Sequence, residues 1–352
     1  MTTRSFTPRS MNRRTLLGAT GLAGIAATLA ACGGGSGGGA SDGGGAGSGT
    51  TMRLALNQTE THPSYIALDN FGTALEESTG GAWGIDVFPN ETLGAQQETL
   101  QMASNGSVEM SIVSGTQLEN LNPDFLTLNM PGAFDNIEKQ MEILQDPSIV
   151  GELFASLEES QNITVLGGFT QGERSAYSTV GPISTPADLN GQKMRVQESD
   201  LHLAMAAALG ATGTPLAYGE VYTGLNSGVI DAAENNEISY FTQAHYEVAP
   251  YFSFTRHLVG TDYLIINTET LNSMSEEDRT AFDEGWAAAV QEHTGLWVEQ
   301  TEQAIADAEA DGATFNEVDT AAFQEALAAL PEEFLTAESQ TALWDAVRGA
   351  QG

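Results

Sequence analysis

The chain has 352 residues, of which 12 are Lys or Arg and 47 are Asp or Glu, and its formal net charge is −35 at pH 7. All of the acidic residues follow Cys32, where 8 basic residues remain, so this part of the chain carries 8 − 47 = −39 charges. Such a surface repels phosphate groups, which excludes nucleic acid and direct adsorption to anionic lipid.

The first 32 residues are typical of an export signal. Four arginines and no acidic residue precede an apolar run that ends in Leu-Ala-Ala before Cys32, the only cysteine, so no internal disulfide can form. The run is too short and too rich in Ala and Gly for a good membrane-spanning helix. Leu29-Ala30-Ala31-Cys32 resembles a bacterial lipobox, in which the cysteine thiol is lipidated, so Cys32 is the predicted lipidation site.

Two alternatives remain open for this signal. Arg13-Arg14 before Leu16-Leu17 resembles a twin-arginine signal, but a Sec signal fits the same residues. Cys32 could also follow an ordinary signal by chance. The favoured interpretation is an exported lipoprotein, periplasmic or at the cell surface, that is anchored at the cytoplasmic membrane by acyl chains.

Residues 33–50 are almost entirely Gly, Ser and Ala. Such a composition buries nothing and predicts a flexible linker with a typical reach of about 23 Å. About 300 residues follow the linker, which exceeds what a single hydrophobic core usually serves, so two lobes are expected.

The body of the chain alternates between strand and helix patterns, which favours an α/β fold with largely parallel sheets. A helix is predicted over Pro63–Ser78, with Pro63 in its first turn and Gly80 after its end. The other elements predicted in the first half are strands at 53–57, 84–88, 108–113 and 163–169 and a helix at 95–104.

The segment 185–236 is predicted to form one side of an anion site. It contains strands at 193–197 and 229–232, and a helix at 201–209 that Asp200 can cap. In open α/β sheets, ligands bind beyond the carboxyl ends of strands, where Arg195, Gln197 and Asn235 fall. A guanidinium group matches a carboxylate in two-pronged geometry. The alternative is that Arg174, Lys193 and Arg195 pair with surface acids.

A long amphipathic helix is predicted near the carboxyl terminus. Ser275-Glu276-Glu277-Asp278 resembles a capping box, and the apolar pattern that follows persists toward Ala310. Thirty-five helical residues span about 52 Å, which is longer than one lobe. This helix is therefore expected to lie across both lobes.

The stretch 172–256 resembles the substrate-binding subunits of TRAP transporters, which are tripartite and ATP-independent, and weaker likeness covers nearly all of 51–350. The order and spacing of several strings carry this resemblance: Gly-Glu-Arg-Ser at 172–175, Pro-Ala-Asp-Leu-Asn-Gly-Gln-Lys-Met-Arg-Val-Gln at 186–197, Gly-Ala at 210–211 with Thr-Pro-Leu-Ala-Tyr-Gly-Glu-Val-Tyr-Thr at 214–223, Gly-Val-Ile-Asp-Ala-Ala-Glu-Asn-Asn at 228–236, and His-Tyr-Glu-Val at 245–248.

The resemblance implies a two-lobed fold of the periplasmic-binding-protein kind, with hinge strands and a cleft that closes on the ligand. The lobes are expected to comprise 51–171 plus 261–300, and 172–260 plus 301–352. The implied partners are a small carboxylate ligand and the small and large membrane subunits of the transporter. No enzyme activity, cofactor or metal is expected.

The resemblance also assigns roles to individual residues. Arg195 is implied to make the main salt bridge to the ligand carboxylate, with Arg174 as a second contact and Asn235 on the same carboxylate. Tyr218 is implied to line the pocket. Asn57 and Gln96 occupy places of first-lobe ligand contacts.

Within the family, the strings at 195–200 and 234–240 resemble the branch that binds sugar acids, either uronates or aldonates. His62 and Tyr240 fit that branch, and Gln197 joins the polar groups expected to bind hydroxyls. Ser114 and Gln117 stand where sialic-acid binders carry a glutamate and an arginine, which argues against sialic acid. Glu237 departs from the aromatic residue that is frequent in the branch.

Each of these assignments has an alternative in which the residue has only a structural role. His62 could serve only to start a helix, Tyr218 and Tyr240 could be ordinary core, and the amide residues could be strand-end or turn residues. The other functions considered are a C4-dicarboxylate or 2-oxo acid binder of the same family, a secreted hydrolase or lyase acting on uronates, and a sensory receptor. The five histidines show no metal-ligand spacing.

Overall fold

The computed structural model describes residues 49–351. The predicted signal, Cys32 and nearly all of the predicted linker lie outside these residues. Within them, alternating strands and helices build a mixed sheet covered by helices, and the predicted α/β class is confirmed.

The strands of the described part are β1 (Thr50–Ala55), β2 (Trp83–Phe88), β3 (Met110–Ser114), β4 (Ile163–Ser178), β5 (Lys193–Val196), β6 (Thr212–Pro215), β7 (Ala232–Asn235), β8 (Tyr251–Asn267) and β9 (Thr314–Glu317). The α-helices are α1 (Pro63–Ser78), α2 (Gln96–Ser104), α3 (Gly115–Glu119), α4 (Ile137–Leu144), α5 (Pro147–Ala155), α6 (Glu158–Gln161), α7 (Asp200–Ala208), α8 (Val221–Ser227), α9 (Glu237–Thr242), α10 (Thr268–Asn272), α11 (Glu276–Ala310), α12 (Thr320–Leu327), α13 (Leu330–Phe334) and α14 (Glu338–Gly349). Short 3₁₀ helices cover Pro123–Asn129, Pro186–Leu189, Tyr218–Glu220 and His245–Glu247.

The strand order is β2-β1-β3-β8-β4-β7-β5-β6, with β9 paired to β8. Pairing is parallel at both ends of this order, where β1 pairs with β2 and β3, and β5 pairs with β6 and β7. It is antiparallel in the middle, between β3 and β8, β8 and β4, and β4 and β7. Strand β9 also pairs with β8 in parallel. The prediction of largely parallel sheets therefore holds for five of the eight strand pairings in the described part of the chain and fails for the three that involve the long central strands β4 and β8 on their antiparallel sides.

The central strands β4 and β8 connect the two ends of the sheet. The first half of β4 pairs with the last part of β8, beside β3, whereas its second half lies beside β7. Between these halves the register shifts from Thr170 to Glu173 and again from Arg174 to Ala176. Gly172 has φ +66°, and Arg256, which lies in β8 between the partners of Arg174 and Ala176, has φ +41°. These irregularities mark the crossover between two lobes.

Helix α11 spans both ends of the sheet, as predicted from its length. Ser275 accepts a hydrogen bond from the backbone N–H of Asp278 and caps the helix. Near its start, the ring of Phe282 packs 5.2 Å from that of Phe71 in α1. Farther along, Trp297 and Ala304 cluster with Ile238 of α9. One continuous helix thus braces both lobes.

Two local predictions in the second lobe are wrong. The strand predicted at 229–232 begins only at Ala232, and Val229 is 52% exposed. The reason is Gly228, whose left-handed conformation lets the N–H of Val229 return to the carbonyl of Gly224 and end α8. Helix α7 is capped by the side chain of Ser199 and not by Asp200.

The boundaries between the lobes stay a prediction. The last helix, α14, packs on the part of the chain assigned to the first lobe, since Ser339 donates to Asp124 over 3.0 Å and Arg348 donates to the carbonyl of Gly132 over 2.7 Å. Within residues 49–351 no helix combines the length and the apolar character that a membrane crossing requires.

Substitution of Gly172 by Ala is expected to lower the free energy of unfolding by about 1–3 kcal/mol. A Cβ at this position would lie 2.8 Å from the ring of Trp297, and the backbone is in the left-handed region. Gly181→Ala is the control, because nothing lies within 4 Å of its Cβ position. Equal urea midpoints for both variants would contradict this role of Gly172.

Candidate functional site

A cavity lies where the carboxyl ends of the strands of both lobes meet. Seven of the nine predicted site residues line it: Arg174, Arg195, Asn235, Asn57, Gln96, Gln197 and Tyr218. This cavity is called the cleft below.

The local folding explains why these residues converge. Arg195 lies in β5, and Gln197 directly follows that strand. Asn235 is the last residue of the neighbouring β7. In the first lobe, Asn57 follows β1 and Gln96 begins α2. Parallel strands within each lobe end at the same edge, so their terminal side chains face a common space.

Arg174 is completely committed to protein partners. It is 2% exposed and forms an ion pair with Glu234, with Nη2 2.7 Å from Oε1 and Nε 2.5 Å from Oε2. Nη1 donates to Gln171 and Asn235, and Nη2 also donates to the carbonyl of Glu234. These contacts use all five N–H groups of the guanidinium. In this conformation Arg174 therefore has no free N–H group with which to make the predicted contact with the ligand.

The electrostatics of this ion pair follow from its burial. Burial alone would raise the pKa of Glu234, but Arg174 and His257 hold it well below its usual range. Burial alone would lower the pKa of Arg174, but Glu234 raises it. Both groups are therefore charged at neutral pH, and the pair is net neutral.

Among the residues that the structure describes, Arg195 differs from Arg174 in having no acidic partner. It is 4% exposed, and its only acceptor among the described residues is the carbonyl of Leu216, at 3.0 Å from Nε and 2.8 Å from Nη2. No carboxylate of residues 49–351 lies within ion-pair distance of it. Three of its five N–H groups are thus left for a ligand. Burial lowers the pKa of Arg195, although nearby Glu234 opposes this.

The amide side chains of the cleft present mostly donors. The oxygen of Gln197 accepts from Ser114 and Thr116, and the oxygen of Gln96 accepts from the backbone N–H of Ser114 over 3.1 Å. The oxygen of Asn235 accepts from Arg174 and Asn236. Among the described residues, the nitrogens of these three amides donate to no partner, so they are available to an acceptor-rich ligand such as a carboxylate.

Two acceptors in the cleft lack donors. Asn57 Oδ1 and Glu91 Oε1 are buried and accept no hydrogen bond from any described residue. Buried polar atoms are normally hydrogen-bonded, so these two oxygens suit a ligand that carries hydroxyl groups. The cleft therefore combines one free guanidinium and several amide donors with two free acceptors.

The structure does not bring His62 and Tyr240 to the cleft, where both were expected. His62 caps α1 by accepting from the N–H of Ser64 over 3.2 Å. The ring of Tyr240 is buried in an aromatic cluster, and its hydroxyl donates to the carbonyl of Ala249 over 2.8 Å. Both residues therefore support the site from outside it.

Several lining residues were missed by the sequence analysis: Gln58, Glu91, Ala95, Gln97, Gln171, Glu198, Leu216 and Ala217. Gln58 and Glu91 follow the ends of β1 and β2, so the strand-end rule that identified Asn57 also applied to them. Gln171 precedes Gly172 at the crossover of β4, and its position depended on a register shift that no local pattern indicates.

Glu237 lies behind the cleft, at the first residue of α9. Burial raises the pKa of Glu237 to about 7, and the proximity of Glu173 adds to this, whereas Arg256 opposes it. A carboxyl group thus occupies the position at which the sugar-acid branch often has an aromatic residue.

Comparison with known proteins finds similarity to bacterial solute-binding proteins. Residues 54–338 match the family model described as bacterial extracellular solute-binding protein, family 7. A solute-binding protein of Chromohalobacter salexigens is 35% identical over 279 residues, which cover 78% of this chain and 82% of that protein.

Two crystal structures of TRAP periplasmic solute-binding proteins are also similar. That from Anaerococcus prevotii, with bound D-glucuronate, has a TM-score of 0.83 and 33% identity and covers 86% of this chain and 98% of its own. That from Xanthobacter autotrophicus, with bound β-D-galacturonate, has a TM-score of 0.81 and 30% identity over 85% of this chain and all of its own. The predicted two-lobed fold is confirmed.

Arg174→Met is expected to lower the free energy of unfolding by about 3–5 kcal/mol, because it leaves Glu234 as an unpaired buried carboxylate. The control is Arg279→Met, which breaks an exposed ion pair with Asp283 and should cost less than about 1 kcal/mol. Adding Glu234→Gln to Arg174→Met should restore part of the loss. Similar urea midpoints for the two single variants would show that the buried pair contributes no more to stability than the exposed pair does.

Glu237→Gln is expected to stabilise the protein at pH 8 by about 1–3 kcal/mol and to leave it unchanged below about pH 4.5. The folded protein holds this proton up to a pKa of about 7, above the ordinary value of 4.5. Between these values the native state binds more protons than the unfolded state, so stability falls as pH rises. Parallel pH curves of unfolding free energy for the two proteins would refute the assignment.

Proposed function

The chain belongs to family 7 of the bacterial extracellular solute-binding proteins, and we propose that its cleft captures a hexuronate such as D-glucuronate or D-galacturonate. Family membership makes it a solute receptor of a TRAP transporter and not an enzyme, in agreement with the sequence analysis. The two similar crystal structures, which hold glucuronate and galacturonate, support the choice of ligand.

The observation that carries this proposal is the unpaired guanidinium of Arg195. The part of the chain after Cys32 bears a formal charge of −39, yet the described acids leave this one buried cation without a partner. Burying an uncompensated charge is costly, and a ligand carboxylate would remove that cost in a bidentate contact. The free nitrogen of Asn235 would donate to the same carboxylate.

The remaining polar atoms support a sugar acid over a C4-dicarboxylate. A second carboxylate would need a second cation, but Arg174 is fully used by Glu234 and its neighbours. Ring hydroxyls both donate and accept, so they would satisfy the free oxygens of Asn57 and Glu91 and the free nitrogens of Gln96 and Gln197. The 2-oxo acids offer too few hydroxyls for these groups.

The proposed mechanism is a binding cycle. The carboxylate docks on Arg195 and Asn235 in the second lobe, and the hydroxyls engage the first lobe. Hydrogen bonds across the cleft then hold the lobes together, such as those from Tyr218 to Gln58 and from Ser199 to Glu119. A ligand that binds the closed form better shifts the population toward it, and this form would engage the membrane subunits.

Export and anchoring belong to the same proposal. The basic start, the apolar run and the Leu-Ala-Ala-Cys string support an exported lipoprotein tethered through Cys32. The Gly/Ser-rich stretch 33–50 would then separate the receptor from the membrane. The small and large membrane subunits of the transporter are the partners that the family leads us to expect.

Arg195→Met is expected to weaken D-glucuronate binding at least tenfold, because a charge-assisted hydrogen bond contributes about 1.5–3 kcal/mol. Isothermal titration calorimetry measures this directly. Lys193→Met is the matched control, since Lys193 lies two residues earlier in β5 but is exposed and donates to the carbonyl of Gly228. Arg195→Met should lower the free energy of unfolding less than Arg174→Met does, because the carbonyl of Leu216 loses its two donors but no buried carboxylate loses a partner. Unchanged affinity would disprove the role of Arg195.

A further inference from the structure

The turn after β2 holds a side chain in a fixed direction toward the cleft. Asn90 and Glu91 have φ values of +58° and +54°, a left-handed conformation that non-glycine residues rarely adopt. The backbone N–H of Asn90 donates to the carbonyl of Gln58 over 3.0 Å, and that of Glu91 donates to the carbonyl of Leu56 over 3.1 Å. The strained turn is therefore pinned to the first lobe, and strain of this kind concentrates at functional sites.

The carboxylate of Glu91 reaches the second lobe. Its Oε2 accepts from the backbone N–H of Gly219 over 3.2 Å. A Cβ on residue 219 would lie 2.4 Å from that same oxygen, so the close approach requires glycine there. One oxygen of Glu91 thus contacts the lobe that carries Arg195.

The other oxygen of Glu91 is unused. Oε1 is buried in the cleft lining, and no described residue donates to it. Burial raises the pKa of Glu91, although the N–H of Gly219 and the charge of Arg195 oppose the effect. No ion pair joins Glu91 to Arg195 within residues 49–351. The cleft therefore contains two separate charged groups: the guanidinium of Arg195 and the carboxylate of Glu91, which can accept a hydrogen bond.

We propose that Glu91 is a specificity-determining residue: Oε1 accepts a hydrogen bond from a hydroxyl group of the bound acid while Oε2 holds the second lobe closed. A ligand with one carboxylate and several hydroxyls satisfies both Arg195 and Glu91. A second carboxylate at the same place meets a like charge and is rejected. This inference rests on the proposed function, since it concerns the same ligand in the same cleft.

Glu91→Gln provides the first test. An amide has one oxygen, so it can replace only one of the two acceptor roles of the carboxylate. Calorimetry at pH 7.5 should show at least tenfold weaker binding of D-glucuronate. Glu220→Gln, which removes an exposed carboxylate beside Gly219, should change the affinity less than twofold. Equal or tighter binding by Glu91→Gln would overturn the inference, because it is the result expected if Glu91 only repels the anionic ligand.

Glu91→Gly separates binding from folding. Glycine adopts the left-handed conformation without strain, so this variant should keep or raise Tm while binding D-glucuronate at least tenfold more weakly. Asn90→Gly relieves the same kind of backbone strain at the preceding residue and should leave the affinity for D-glucuronate within twofold of that of the unaltered protein. A fall in Tm of Glu91→Gly together with the loss of binding would assign Glu91 a purely structural role and overturn the inference.

Gly219→Ala tests the contact between the lobes. The added methyl group must displace the Glu91 carboxylate, so the affinity for D-glucuronate should fall in the unaltered background and change little in the Glu91→Gly background. Additive effects would contradict a role through Glu91.

Two further binding measurements, one with succinate and one with the unaltered protein, separate the role of Glu91 from the proposed function. Succinate should bind Glu91→Gln more tightly than the unaltered protein, and no gain would count against rejection by charge. Failure of the unaltered protein to bind either D-glucuronate or D-galacturonate would contradict the proposed function itself. Hexuronate binding by the unaltered protein with no loss in Glu91→Gln would contradict only the role of Glu91.

Discussion

The buried ion pair between Arg174 and Glu234 determines the charge balance of the cleft. Two desolvated ions are stable together only when their geometry is good and their remaining hydrogen-bonding groups are satisfied. Here five donors of one guanidinium meet five acceptors, with Gln171 and Asn235 completing the set. The same pair removes one of the two buried arginines from ligand binding. The second, Arg195, has no carboxylate counterion among residues 49–351, and the proposed selectivity for a single carboxylate rests on this difference between two neighbouring arginines.

This charge balance depends on the two long central strands. Arg174 lies in β4 just after the register shift at 170–173, and Glu234 lies in the adjacent β7, so the ion pair sits where the chain crosses between lobes. Asp262, in the paired strand β8, accepts from Gln171 and thereby extends the network to the other side of the crossover. The ligand site and the hinge thus share residues. A change of lobe orientation therefore alters the surroundings of the same groups that hold the side chain of Asn235.

Much of this arrangement could be predicted from local patterns. Pro63 and the cap of Ser275 identified two helices with the correct bounds, and the strand ends identified Arg195, Gln197 and Asn235. Non-local facts could not be predicted. Whether an arginine is free or paired depends on a glutamate 60 residues away, and the position of Gln171 depends on a register shift in β4. His62 and Tyr240 do not line the cleft, because a motif reports only that a residue is near a site, whereas its rotamer and packing decide where its side chain points.

The most direct test of the central claim is a crystal structure of the protein grown with D-glucuronate. The account predicts that the ligand carboxylate contacts the guanidinium of Arg195 through two hydrogen bonds of about 2.7–2.9 Å, while Arg174 keeps its ion pair with Glu234. A carboxylate bound elsewhere, or an Arg174 that leaves Glu234 to bind the ligand while Arg195 stays free, would contradict it.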